Sequence, residues 1–101
     1  MENKNQNEKQ IQIEIDDTTA QGSYSNLALI THSESEVIFD FVFVQPQAPK
    51  ARVRSRVITS PAHAKRFLKA LEENISNYES RFGEIKISPS DENHKKVGFL
   101  N

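Results

Sequence analysis

The segment VIFDFVFV, Val37 to Val44, restricts the fold more than any other part of this chain. A run of β-branched and aromatic residues reads as a strand, and successive residues of a strand face opposite ways. Val37, Phe39, Phe41 and Phe43 therefore share one side; Ile38, Val42 and Val44 share the other, with Asp40 among them. An antiparallel sheet wetted on one side alternates apolar with polar residues. This strand does not, so both of its sides need cover.

The flanking pattern supplies the other elements. Gln10 to Ile15 alternates, with Ile11, Ile13 and Ile15 on one side, and predicts a short strand. DDTTAQG (Asp16 to Gly22) has turn composition. A second strand is expected over Ser23 to His32, joined by SESE (Ser33 to Glu36) to VIFDFVFV in a hairpin. The loop QPQAP holds two prolines, which cannot donate to a sheet ladder, and Ala51 to Thr59 is the fourth strand. Ser60 then suits an N-cap and Pro61 the first helical position. Ala64, Phe67, Leu68, Leu71, Ile75, Tyr78 and Phe82 recur at spacings of three and four, the apolar stripe of one helix ended by Gly83. Glu84 to Ile87 reads as one more extended piece. The fold class expected is α+β: a four-stranded antiparallel meander followed by one long amphipathic helix (ββββα). Residues 1–9 are expected to be a disordered arm, 10–87 a single domain, and 88–101 a polar tail whose Val97, Phe99 and Leu100 dock late or stay loose.

This architecture is short of cover. Four strands at ~4.8 Å spacing, each ~8 residues at ~3.3 Å, make a face of roughly 19 by 26 Å. One helix is ~10 Å across and hides about half of one face. Contiguous apolar surface of that size is uncommon in soluble monomers. A homo-oligomer is therefore expected, a two-fold dimer in which Leu27, Leu29, Ile38, Val42 and Val44 meet a second copy or a protein or peptide partner.

The most polar feature is KARVRSRVITSPAHAKRFLKAL (Lys50 to Leu71). It holds seven of the thirteen Lys and Arg residues and no Asp or Glu. Strand alternation puts Arg52, Arg54 and Arg56 on one face. Together with Ser60 at the helix start and with Lys65 and Arg66 (and Lys69) beside it, they are the candidate anion or nucleic-acid site. The plainer alternative is structural: a buried carboxylate needs a partner, and a hairpin across QPQAP brings Asp40 beside Arg54 or Arg56 as an ion pair. The phenylalanines alternate into the opposite face, away from any base-stacking role.

Catalytic chemistry finds no support. His32, His63 and His94 never fall at i, i+3 or i, i+4, and there is no cysteine, so neither a metal set nor a disulfide framework is expected. Three glycines make no phosphate-cradling loop. Ser60 has no visible His/Asp arrangement, and Glu72 and Glu73 lie on a solvated helix flank. No enzyme activity, catalytic residue or cofactor is expected. A net charge of −1 gives no general attraction to nucleic acid or acidic membranes. The polar start MENKNQNEKQ lacks a secretion signal's apolar core, and no run approaches a membrane span, so a cytoplasmic location is expected.

Three stretches, YSNLALITHSESEVIFDF, RVITSPAHAKRFLKAL and ENISNYESRFGEI, together resemble the bacterial domain-of-unknown-function family numbered three-four-six-seven. The resemblance spans residues 20 to 86, with its most distinctive parts at Ser-Pro-x-His-Ala-Lys and Asn-Ile-x-x-Tyr-Glu-x-x-Phe-Gly-x-Ile. It implies a fold and no activity. The order of four antiparallel strands, a long helix and a polar extension is also similar to the SecB export chaperone, though this chain is shorter and lacks a comparable second helix. The function expected is a non-enzymatic, homo-oligomeric protein or peptide interaction module, chaperone-like in kind; the alternative is anion or nucleic-acid binding through the arginine strand and helix start.

Overall fold

In the computed structural model, which describes residues 10–47 and 50–88, side-chain capping and strand alternation produce five elements. These are a single helical turn α1 (Asp17–Ala20), strands β1 (Leu27–His32), β2 (Val37–Val44) and β3 (Ala51–Thr59), and the long helix α2 (Pro61–Phe82). The sheet is antiparallel in the order β1-β2-β3, so the doubly apolar β2 is central. The structure is α+β, with three strands among the described residues where four were expected. Residues 1–9 and most of the 88–101 tail, including His94, Val97, Phe99 and Leu100, lie outside the described residues.

The missing strand is Gln10 to Ile15, and α1 explains why. Asp16 accepts a hydrogen bond from the Thr19 amide at 2.7 Å and caps one helical turn instead of opening a tight hairpin. Gly22, at φ 78°, ends that turn. The chain then crosses the sheet: Thr18, Thr19, Gly22, Ser23 and Ser25 share a cleft with Phe41, Ser55 and Val57. Residues 10–15 are left without a ladder partner, and Ile13 is 90% exposed. The following strand also starts later than expected, at Leu27, because Asn26 finishes the ladder with its side chain. Its amide donates to the Val44 carbonyl at 3.0 Å and its Oδ1 accepts from the Val44 amide at 2.9 Å, standing in for one more strand residue.

The β1–β2 hairpin turns at Ser33–Glu36. The Ser33 amide donates to the Glu36 carbonyl at 2.9 Å, while the Ser33 hydroxyl accepts from the amides of Ser35 and Glu36 at 3.3 and 3.2 Å. At the other end of the sheet β3 feeds α2. The Ser60 hydroxyl accepts from the His63 amide at 3.1 Å, Pro61 opens the helix, and Gly83, at φ 100°, closes it with a 2.9 Å bond from its amide to the Glu79 carbonyl. Glu84 to Ile87 does not form a strand, since the Ile85 amide donates to the Glu79 carboxylate at 2.9 Å and ties this segment back to the helix end.

The two faces of the sheet differ. One carries Val37, Phe39, Phe41 and Phe43; here Phe39 stacks with Phe41 at 6.3 Å and receives Phe67 of α2 at 5.2 Å, while Tyr24 meets Phe43 edge-on at 6.0 Å. The other carries Ile38, Asp40, Val42 and Val44. Among the described residues only Phe39 and Val42 are buried hydrophobics, and Asp40 is the single buried charge.

Candidate functional site

The arginine strand contains a bulge that redistributes its charge. Ser55 pairs with Phe41 and Val53 with Val42, which leaves Arg54 as an extra residue on β3. Paired residues share a face. Arg56, opposite Asp40, therefore points to the aspartate face, whereas Arg52, opposite Phe43, points to the phenylalanine face. The expected single face of Arg52, Arg54 and Arg56 does not form. A common face would need Arg54 to take its own partner on β2 in unbroken register.

Arg56 takes the role of counter-ion. Its Nε and a terminal nitrogen donate to Asp40 Oδ1 and Oδ2 at 2.7 and 2.9 Å, a bidentate pair. The carboxylate is 1% exposed, while the guanidinium keeps one side to solvent. Hydrogen bonding from Arg56 holds the Asp40 carboxyl below its ordinary range; burial opposes this and the cationic charge adds to it. The same contact raises Arg56, which stays charged throughout the accessible pH range. Asp40 is thus occupied structurally and is no free base. Arg54 takes no part in this pair, because its guanidinium lies over the Phe43 ring at 6.0 Å.

The remaining basic candidates are dispersed. Lys50, Arg52 and Arg54 line an open hollow of about 480 Å³ with Phe43 and Gln45 at the start of β3. Ser60 lies beyond the other end of that strand, roughly 26 Å away for eight residues of extended chain. One amide of the helix start, that of His63, is already bonded to the Ser60 hydroxyl. Lys65 and Arg66 are exposed on α2, with no carboxylate partner in ion-pair range among the described residues. Arg52, Arg54, Ser60, Lys65 and Arg66 are therefore not one site. Among the described residues, no group of three His, Cys, Asp or Glu side chains could hold a metal ion, and no helix is long and apolar enough to cross a membrane.

The apolar candidates fare differently. Leu27, Leu29, Ile38, Val42 and Val44 do share the aspartate face, as the pairing of Leu29 with Asp40 and Leu27 with Val42 requires. Val42 is only 3% exposed, however, and offers nothing to a partner. The accessible apolar surface lies mainly elsewhere. The stripe of α2 runs from 40% exposure at Phe67 to 69% at Phe82, with Leu68, Leu71, Ile75 and Tyr78 between, and Val53, Val57 and Ile58 of β3 are also open. Reading the sequence assigned that stripe to covering the sheet. A length comparison would have revealed the surplus: 22 helical residues span ~33 Å, whereas the eight residues of β2 span ~26 Å.

A family model described as Protein of unknown function (DUF3467) matches residues 1–87. No curated protein and no solved structure matches the chain. The likeness to SecB accordingly has no support, and the three-stranded sheet removes the strand count on which it was drawn.

Proposed function

We propose, for a chain that belongs to the DUF3467 family of proteins of unknown function, that it is a non-enzymatic, homo-oligomeric interaction module that binds itself and a further protein or peptide through apolar surface. The observation that carries this reading is the near absence of a core in one protomer. Among the described residues, two buried hydrophobic side chains stand against a half-exposed stripe along the whole of α2. Large side chains present ~150–250 Å² each. At the exposures found, the six stripe residues from Phe67 to Phe82 leave roughly 550 Å² of apolar surface per protomer. Two copies together supply about 1,100 Å², close to the ~1,200–2,000 Å² of specific interfaces before the sheet adds anything.

A two-fold arrangement is the economical one, because a stripe on one helix packs against the same stripe on its mate. The chaperone-like aspect would follow from whatever apolar surface the assembly leaves open. Anion or nucleic-acid binding draws little support, since the bulge divides Arg52 from Arg56 and the latter is engaged by Asp40. Sedimentation and light scattering at micromolar concentration test the proposal. A dimer mass is expected; a persistent 11.5 kDa monomer would refute it. Retention on nucleic acid that falls steeply with added salt and vanishes on replacing Arg52 and Arg54 with Ala would support the other reading.

A further inference from the structure

Resting on that self-association, we infer that residues 10–15 of one copy add as a fourth strand to the outer edge of β3 in another. The segment QIQIEI has strand periodicity over a strand's length, yet it forms no ladder with the other described residues of its own protomer. Its isoleucines are among the most exposed apolar residues described: 83%, 90% and 65% at Ile11, Ile13 and Ile15. A row of isoleucines on alternate positions gains nothing from solvent and fits a pleated, half-buried surface.

Among the described residues, two sheet edges are open: β1 and β3 each pair only with β2, which leaves the outer amides and carbonyls of both without ladder partners there. Such an edge is a template for an incoming strand. Charge chooses between them. The incoming segment carries Glu14 and is followed by Asp16 and Asp17, while β1, LALITH, contains no Lys or Arg. β3 carries Arg52, Arg54 and Arg56, preceded by Lys50. Apolar matching agrees. With the isoleucines beside the exposed Val53 and Ile58, Gln12 and Glu14 fall on the opposite side, where Arg52 lies. Addition in trans also completes, between copies, the four-stranded sheet that the hydrophobic pattern specifies.

Hydrogen exchange read by mass spectrometry on the full chain, above and below the concentration of half-association, tests this. Association is expected to slow the amides of 10–15 and of 51–59 by at least ~10-fold. Ile13→Pro, which removes a donor from the added strand, is expected to abolish that slowing and weaken self-association by about 10-fold. Because residue 13 is exposed in the protomer, the variant should keep the wild-type monomer fold. The inference is overturned if associated protein exchanges freely over 10–15, if protection falls on 27–32 instead of 51–59, or if protection is independent of concentration, which would mark pairing with its own sheet. In each of these cases the chain still associates and the broader proposal stands. A chain monomeric at every concentration overturns both.

Discussion

Truncating Leu71 to alanine separates a stripe that serves one protomer from a stripe that serves two. The residue lies mid-helix and is 47% exposed. Leu→Ala removes about three methylene equivalents at ~0.8 kcal/mol each, roughly 2.4 kcal/mol for full burial. About half of that, ~1.2 kcal/mol, is already realised within the protomer and should appear as lost stability. The other half becomes available only when a second copy covers the stripe. A two-fold interface contains the residue twice, so association should weaken by ~2.4 kcal/mol, close to 50-fold in Kd. Sedimentation equilibrium over a hundredfold or so range of concentration reads this directly. Glu73→Ala, off the stripe, is the control and should leave Kd within a factor of two or so. A Kd for Leu71→Ala within about threefold of wild type would show that this stripe is not the contact.

Three further outcomes follow from the geometry. Ser60→Ala removes the acceptor for the His63 amide and should lower stability by ~1 kcal/mol, a fall in Tm of about 4–8 °C by circular dichroism. Asp40 has a folded-state pKa below its unfolded value of about 3.8, so its contribution is complete above pH ~4 and is lost as pH falls through the lowered value. Acid titration of unfolding should show that loss, and Asp40→Asn should flatten the profile there while lowering stability at neutral pH; an unchanged acid limb would argue against the pair. Arg56→Ala should destabilise far more than Arg54→Ala in urea denaturation, because only the former strands a buried carboxylate.

Much of the fold is legible from residue order alone. Ser60-Pro61 and Gly83 delimit α2 because capping chemistry is local: the bonded partners lie three or four residues away. VIFDFVFV announces a central strand by carrying apolar side chains in both directions. The need of Asp40 for a cation is equally readable, since a carboxylate between Ile38 and Val42 cannot go unpaired. What is not readable depends on partners distant in sequence. Whether Gln10 to Ile15 becomes a strand depends on an available edge, which its own alternation does not encode. Which arginine answers Asp40 depends on register, and register depends on an irregularity that composition does not mark. The division of the α2 stripe between sheet and solvent depends on element lengths measured in ångströms, a comparison hidden by counting hydrophobic residues.

Arg54 is the one residue of β3 that has no partner on β2. Pairing resumes on either side of it, so the insertion inverts the parity of everything from Ala51 to Val53 relative to Ser55 through Thr59. Deleting Arg54 would leave Arg52 and Val53 where they are, whereas unbroken pairing with Arg54 kept, opposite Val42, would carry Arg52 through the sheet to join Arg56 and turn Val53 the other way. A cationic ridge would then exist beside Asp40, and the apolar margin available to neighbours would shrink. Chains of this kind can thus trade stickiness for charge by a one-residue slip of register.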